Sequence, residues 1–231
     1  MKPFPRCHAL LFDLDGTLVD SQRDIAEALN FALVTATGHE ALSFESIRPM
    51  IGDGARTLVE RALKAILPVA VTKEDVDRVL SLFLDRYAAH PCAHTALLPG
   101  TRDVLALGLG CAVVTNKPRA IASLVLEHLG IARSFGAIYA GGDGPLKPAP
   151  DGLVWAAEQL GVPVEQAWMV GDGPQDIVAG RAAGCFTVAV FGIADRERVL
   201  AAKPDLVAES LVDVAAHVRA SIAGPGDLTS V

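Results

Sequence analysis

Short apolar runs recur along the chain and predict buried β-strands. They lie at residues 9–12, 111–114, 137–139, 168–170 and 187–191. Runs of this length, bounded by glycine or polar residues, are typical of strands that are covered on both faces of a parallel sheet. Between the later runs, residues 120–129 and 151–160 carry apolar side chains at helical spacing. Strands that alternate with helices of this length predict βαβ units, with helices on both faces of the sheet.

The interval from residue 21 to about residue 99 breaks this alternation. Asp20 or Ser21 can cap a helix that ends near Gly38, and further helices are predicted at about 55–67 and 73–90, with no strand among them. A helical block inserted after the first strand predicts a separate small cap domain at 20–95. The core is then formed by 1–19 and 96–231, and two connections allow hinge motion. The tail after Gly224 is expected to fray.

Composition narrows the class of protein. Of the 231 residues 51% are hydrophobic, yet no apolar run approaches the ~20 residues of a membrane span. The net charge is −7 and no basic stretch occurs, which argues against a nucleic-acid partner. The first residues lack a signal-peptide pattern, and the four cysteines show no paired or metal-type spacing. We expect free thiols, a cytoplasmic protein without membrane partner, and a monomer or homodimer.

The first apolar run ends in a pair of carboxylates, Asp13 and Asp15, followed by Gly16 and Thr17 in LFDLDGTLVD. Residues i and i+2 of a strand share a face, so the two like charges repel unless a cation compensates them. Ligands of open α/β sheets bind at the carboxyl ends of strands, and Mg²⁺ with a phosphoryl substrate would supply that compensation. Taken alone, the same residues are equally typical of a turn and a helix cap.

Further polar groups follow the later strand-like runs. Each has an ordinary explanation when it stands alone: a helix cap, a solvated lysine, or acids in the first turn of a helix. At the carboxyl ends of successive parallel strands they converge with Asp13 and Asp15. Together they match the needs of phosphoryl transfer, namely a nucleophile, an acid/base, a cation and carboxylates that hold Mg²⁺. These groups are Thr115, Asn116, Lys117, Lys147, Asp172 and Asp176.

The segments LFDLDGTLVDS, VVTNK, LKPAP and VGDGPQD resemble the four signature motifs of the haloacid dehalogenase-like hydrolase superfamily. The resemblance covers nearly the whole chain. It implies an α/β fold with a Rossmann-like parallel-sheet core, helices on both faces and an inserted small α-helical cap domain.

The resemblance also implies roles. Asp13 attacks the phosphoryl group to form an aspartyl-phosphate, and Asp15 protonates the leaving oxygen and then activates water. The implied cofactor is Mg²⁺, held by Asp13, the backbone carbonyl of Asp15 and Asp172. Asp176 supports that metal site. The phosphoryl oxygens are bound by Leu14, Thr115, Asn116 and Lys147, of which Thr115 and Lys147 also count as catalytic.

Three further segments, IGDGARTLVERAL, YAAHPC and AGGDGPLKPAP, resemble the phosphoglycolate phosphatase branch. The implied substrate is a small phosphorylated metabolite, with 2-phosphoglycolate as the lead candidate. Gly173 departs from the pattern, since many relatives carry Ser, Thr or Asn there, and the loop before Lys147 is short. In the cap, Arg56 and Arg61 could reach a substrate carboxylate, although arginines on a helix surface are as typical of ordinary ion pairs.

Other functions stay open. A phosphosugar mutase similar to β-phosphoglucomutase would pass the phosphoryl group to a sugar instead of water. A haloacid dehalogenase also uses an Asp nucleophile, but it needs neither Asp15 nor Asp172. A module that only binds phosphoproteins or metabolites has no use for a nucleophile.

Overall fold

The computed structural model describes residues 4–191 and 196–223. Six strands form one parallel sheet in the order β5-β4-β1-β6-β7-β8, and β2 and β3 form a separate antiparallel pair. The predicted α/β fold with a Rossmann-like parallel sheet is confirmed. The strands are β1 (Ala9–Phe12), β2 (Val19–Asp20), β3 (Ala96–Leu97), β4 (Gly110–Pro118), β5 (Ala137–Gly141), β6 (Ala167–Gly171), β7 (Phe186–Val190) and β8 (Leu206–Ala208).

Helices cover both faces of the sheet, and four of them lie between β2 and β3. Those four are α1 (Gln22–Thr37), α2 (Phe44–Ile47), α3 (Ala55–Ile66) and α4 (Lys73–Ala89). The others are α5 (Thr101–Leu105), α6 (Arg119–His128), α7 (Asp151–Gln159), α8 (Pro174–Ala183), α9 (Arg196–Ala201) and α10 (Leu211–Ala223).

The side chains of β1 alternate between two apolar layers, as the period of a strand requires. Leu10 and Phe12 join the cluster that includes residues of α5, α6 and α10. Ala9 and Leu11 join the cluster that includes Leu153 of α7 and Ala179 of α8. The first strand is therefore buried on both faces, and its carboxyl end at Asp13 lies in the middle of the sheet edge.

The helices between β2 and β3 pack on one another, chiefly α1 and α3 against α4, and α4 also packs on α6. Their apolar residues belong to the same cluster as one face of the sheet. The prediction of helices here is confirmed, although β3 is a short strand in the interval expected to hold none. The boundaries 20–95 for a cap domain stay a prediction.

The start of α1 differs from the expected capping. Ser21 is the N-cap residue, but its hydroxyl donates to Asp15 and makes no capping bond. The carboxylate of Asp20 accepts from the backbone N–H of Gln22 at 3.3 Å in its place. At the other end Gly38 adopts the left-handed conformation with φ of 70°, which ends the helix as predicted.

The cysteines of the chain are all free, and three of them are buried. Burial raises the pKa of Cys7 to about 12, so that thiol stays protonated and unreactive. Among the described residues, none of the helices is long and apolar enough to span a membrane. The tail predicted to fray after Gly224 lies outside the described residues.

Candidate active site

The carboxyl edge of the sheet collects the polar groups that the sequence singled out. Asp13 follows β1, and Thr115 lies within β4, because that strand runs further than predicted. Asp172 follows β6, and Lys147 lies in the loop between β5 and α7. Since β1 lies between β4 and β6, the structure brings these four residues together around the centre of the sheet.

Lys147 is the centre of a buried ionic cluster, which we call the core cluster: Lys147, Asp13, Asp172 and Asp176. Its Nζ lies 2.8 Å from Oδ1 of Asp13 and 2.7 Å from Oδ1 of Asp176. The lysine side chain is 2% exposed, so these contacts form where water screens little. The other oxygen of Asp176 accepts from the backbone N–H of Gly173 at 2.9 Å. Asp176 is thus held by both oxygens, as a supporting residue would be.

The core cluster carries more negative than positive charge. Oxygens of Asp13, Asp172 and Asp176 lie within 4.8 Å of one another, against the single ammonium of Lys147. Burial raises the pKa of Asp13 to about 6, while Lys147 opposes that shift. Burial, together with the charges of Asp13 and Asp176, raises the pKa of Asp172 well above its usual value. A divalent cation would relieve this repulsion, and carboxylate oxygens are the ligands that Mg²⁺ prefers.

The loop after β1 passes very close to Asp172. At Gly16, with φ of 88°, a Cβ atom would lie 2.1 Å from Oδ2 of Asp172. Only glycine therefore allows the backbone of the DxDGT segment to lie against the carboxylate proposed to hold the metal. Thr17, the next residue, donates from Oγ1 to Oδ1 of Asp172 at 3.4 Å.

A second buried lysine organises what we call the cap–core cluster: Lys117, Asp15, Tyr87 and Ser21. The Nζ of Lys117 lies 2.8 Å and 3.1 Å from the two oxygens of Asp15. It also donates to the hydroxyl of Tyr87 on α4 at 2.6 Å. The Ser21 hydroxyl donates to Oδ1 of Asp15 at 2.5 Å. The candidate acid/base is therefore held from the sheet and from the beginning of α1, and through Lys117 it is linked to α4.

Asn116 holds the backbone around the site. Its amide oxygen accepts from the Lys147 N–H at 2.8 Å, and its Nδ2 donates to the Lys147 carbonyl at 3.0 Å. Nδ2 also lies 3.2 Å from the carbonyl of Gly52, at the loop before α3. These bonds occupy the Asn116 side chain, so its predicted phosphate binding would have to use the backbone N–H. That binding stays a prediction. The same holds for Leu14, whose carbonyl accepts turn bonds from Leu18 and Val19.

Two pockets meet at Asp15. The inner pocket, of about 50 Å³, is bounded by Asp13, Asp15, Thr115 and Lys117 from the core. From the helices between β2 and β3 it receives chiefly apolar side chains and the ring of Tyr87. The outer pocket, of about 330 Å³, is the wider one. Its lining includes Asp15, Gly16, Asp172 and Gln175 on the core side and Arg48 and Gly52 on the other.

Arg56 and Arg61, for which the sequence left open either a substrate carboxylate or an ordinary ion pair, line neither pocket. Arg56 pairs with Asp77 on α4 at 2.5 Å, and both side chains are about half exposed. Arg61 pairs with Asp53 at 2.6 Å and donates to the Met50 carbonyl at 3.0 Å. The first is an ordinary surface ion pair, and the second braces the loop around Gly52.

The side chain of Gln175 covers Gly173, the position at which this chain departs from the family pattern. A Cβ at this position would lie 2.1 Å from the side-chain nitrogen of Gln175. Gln175 therefore occupies the space that a Ser, Thr or Asn side chain would take, and it also lines the outer pocket.

Fold and site together define a class: an α/β enzyme that assembles buried carboxylates and lysines at the carboxyl edge of a parallel sheet, beneath a helical insertion. The family model described as haloacid dehalogenase-like hydrolase matches residues 7–184. The chain belongs to this family.

Named relatives place it within the family. A phosphoglycolate phosphatase of Chromobacterium violaceum is 37% identical over 212 residues, covering 89% of this chain and 94% of the relative. One of Vibrio parahaemolyticus is 36% identical over 222 residues, covering 92% and 96%. The crystal structure of a predicted phosphoglycolate phosphatase from Haemophilus somnus has a TM-score of 0.83 at 29% identity, covering 90% and 96%. The predicted family, its phosphoglycolate phosphatase-like branch and the enzyme class of a phosphatase are confirmed.

The side-chain contacts of three residues in the cap–core cluster were not predicted from the sequence. Lys117 was included among the polar groups after the second predicted strand without a role for its ammonium, Tyr87 stood in YAAHPC, and Ser21 was one of two candidate helix caps. A lysine one residue after Asn116 on a strand that reaches the site is a signal that could have been followed. The partnership with Tyr87 depends on how α4 docks.

Proposed function

We propose that this enzyme is a Mg²⁺-dependent phosphatase that hydrolyses 2-phosphoglycolate through an aspartyl-phosphate. The observation that carries the proposal is the core cluster, in which buried Asp13 lies 2.8 Å from Lys147 beside Asp172 and Asp176. A nucleophilic carboxylate at the edge of a sheet, with a cation in contact and further carboxylates beside it, meets the electrostatic needs of phosphoryl transfer.

The donor set fits Mg²⁺. Asp13 and Asp172 would hold the ion together with the backbone carbonyl of Asp15, and Asp176 would keep Lys147 in place. The bound ion would supply positive charge that offsets the charge of the phosphoryl oxygens. Excess negative charge in the core cluster supports this assignment, because three buried carboxylates face one ammonium.

The chain's own residues carry the two steps. Asp13 attacks phosphorus and the bond to the ester oxygen breaks. Asp15, which carries the proton that it took from water in the preceding turnover, gives that proton to the ester oxygen as the alcohol leaves. Asp15 then takes a proton from water, which attacks the aspartyl-phosphate and releases phosphate and free Asp13. Lys147 stays paired with Asp13, and Thr115, buried in the inner pocket, offers its hydroxyl to the phosphoryl oxygens.

Two observations support a small substrate. The named relatives are phosphoglycolate phosphatases that align with about nine tenths of this chain. The inner pocket of about 50 Å³ has room for roughly three to five water molecules, which is enough for a two-carbon leaving group, whereas a hexose would have to occupy the outer pocket. Free, buried thiols fit the proposed cytoplasmic location.

A panel of phosphate esters tests the proposal. Phosphate release from 2-phosphoglycolate and from β-glucose 1-phosphate is measured with Mg²⁺ and again with excess EDTA. We expect rapid, EDTA-sensitive release from 2-phosphoglycolate and little from the sugar phosphate. Conversion of β-glucose 1-phosphate to an isomer without net phosphate release would identify a mutase instead. Turnover that survives EDTA would contradict the metal assignment.

A further inference from the structure

The inner pocket holds a buried positive charge that the two steps of hydrolysis do not use. Among the described residues that line it, Lys117 is the cationic one. Its side chain is 2% exposed, and its ammonium lies in contact with Asp15. A buried ammonium costs free energy unless it is paired, and Asp15 is the carboxylate that pairs with it here, so a step that draws Asp15 toward the substrate leaves the ammonium short of an acceptor.

We propose that Lys117, assisted by the hydroxyl of Tyr87, binds an anionic group on the leaving half of the substrate. The inference rests on the proposed function, since it names the residue that selects 2-phosphoglycolate. In that substrate the carboxylate is separated from the ester oxygen by a single methylene. Asp15 acts on the ester oxygen and Lys117 touches Asp15, so a group this close to the ester oxygen falls beside the ammonium.

The hydrogen bonds of Lys117 allow a substrate carboxylate to replace one oxygen of Asp15. Its three N–H groups now face the two oxygens of Asp15, at 2.8 Å and 3.1 Å, and the Tyr87 hydroxyl at 2.6 Å. When Asp15 turns one oxygen toward the ester oxygen, one of these N–H groups loses its acceptor. A substrate carboxylate would take that place and keep the buried ammonium paired.

The surroundings of the inner pocket strengthen the choice of Lys117 over Arg56 and Arg61. Leu58 and Phe83 in the same pocket offer no hydrogen bond to a carboxylate, and they keep the local dielectric low. Arg56 and Arg61 lie outside both pockets in ion pairs of their own. A site built around a buried charge rejects analogues that lack its partner more strongly than an apolar pocket does.

Paired substrates and variants test the inference. The substrates are 2-phosphoglycolate and its neutral amide, 2-phosphoglycolamide, which differ only at the group that would meet Lys117. The variants are Lys117→Met, which removes the charge, and Tyr87→Phe, which removes one hydroxyl and leaves the ring. Lys64→Met on the exposed side of α3 is the matched control.

We expect the wild type to prefer the carboxylate in kcat/KM, and Lys117→Met to lower that preference by about 30-fold or more. Tyr87→Phe lowers it less, and Lys64→Met leaves it unchanged. If Lys117→Met slows both substrates equally, or if the wild type shows no preference, the inference is overturned and Lys117 only positions Asp15.

A binding experiment separates this inference from the proposed function. Calorimetry of both compounds is carried out with Asp13→Asn, and again with Asp13→Asn combined with Lys117→Met, since neither protein needs to turn over substrate. Selective binding of the carboxylate that disappears without Lys117 supports the inference even if hydrolysis fails. Equal binding of carboxylate and amide contradicts it, whatever the activity of the wild type.

Discussion

Two buried lysines serve the same edge of the sheet but in different electrostatic settings. Lys147 faces an excess of carboxylates, all contributed by the core of the fold. Lys117 faces one carboxylate, Asp15, and a hydroxyl that comes from α4. The core cluster suits a metal ion because some of its negative charge is left uncompensated. In the cap–core cluster the charge of Lys117 is balanced by Asp15, so it can bind a substrate group only when that group replaces an oxygen of Asp15.

The accessibility of the acids differs as well. The side chains of Asp13 and Asp176 are 9% and 0% exposed, whereas that of Asp15 is 16% exposed. Loss of Lys147 would strand charges that water cannot reach, while loss of Lys117 would leave Asp15 partly hydrated. Lysine–aspartate pairs at similar distances therefore contribute differently to the free energy of unfolding, because burial and the number of neighbouring charges set each contribution.

The largest effect is expected for Lys147→Met. Removing the ammonium leaves Asp13 and Asp176 without a partner, so kcat should fall by at least about a thousandfold. In EDTA the free energy of unfolding should fall by about 3 kcal/mol, measured by urea denaturation. Lys64→Met is the control and should lie within about 0.5 kcal/mol of the wild type. A core-cluster variant as stable as this control would break the comparison.

The proposed Mg²⁺ and the pH are expected to act on the same carboxylates of the core cluster. In the folded state the pKa of Asp13 is raised from 3.8 to about 6, and the pKa of Asp172 is raised as well. The native protein therefore keeps protons that the unfolded chain loses, and metal-free stability falls as pH rises from about 3.8 through about 6. Because the proposed Mg²⁺ would bind the ionised carboxylates, it should raise Tm by about 5 °C at neutral pH and much less near pH 4.5.

Thermal unfolding with Mg²⁺ or EDTA at both pH values measures this difference. In Asp172→Asn one of the three carboxylates is neutral, so the metal-free Tm at neutral pH should rise and the response to Mg²⁺ should vanish. If metal-free stability instead rises between about pH 3.8 and pH 6, the negative charge of the core cluster is already compensated without a metal ion.

Lys117→Met should be milder than Lys147→Met in stability. Asp15 keeps the Ser21 hydroxyl and some contact with water, so a loss of about 1 kcal/mol is expected in the same urea titration. Equal losses for the two lysine variants would remove the distinction between the clusters.

The smallest effects are expected where the structure shows a flexible or exposed neighbour. In Gly173→Ser the nearest atoms to the added Cβ belong to the end of the Gln175 side chain, which can turn away, so kcat/KM should stay within about threefold of the wild type. Arg56→Ala breaks an exposed ion pair and should cost less than about 1 kcal/mol. A large loss of activity in Arg56→Ala would return that arginine to the substrate site.

Much of this site could be predicted because parallel strands end at one edge. Knowing only that Asp13, Thr115 and Asp172 stand at the carboxyl ends of predicted parallel strands was enough to expect them together, and the structure brings them together. The helices at α3, α4, α6 and α7 also agree with the apolar spacing, to within about one residue. The short elements β2, β3, β8, α2, α5 and α9 were not predicted, and neither was α10.

The contacts between the helical insertion and the core could not be predicted in the same way. Tyr87 reaches Lys117 from 30 positions away because α4 packs against α6, and periodicity does not show which residue of a helix face meets which strand. The arginines show the same limit. Arg61 points to Asp53 and Met50 within the insertion, so residue type alone suggested a substrate contact that the packing directs elsewhere.

The central claim is that Asp13 is the nucleophile of a phosphatase, and one substitution tests it most directly. Phosphate release from 2-phosphoglycolate with Mg²⁺ is compared for the wild type, Asp13→Asn and the exposed control Asp103→Asn. We expect kcat to fall by at least about 10⁴-fold in Asp13→Asn, with an unchanged circular dichroism spectrum, and to be unaffected in Asp103→Asn. Wild-type turnover by folded Asp13→Asn would contradict the mechanism.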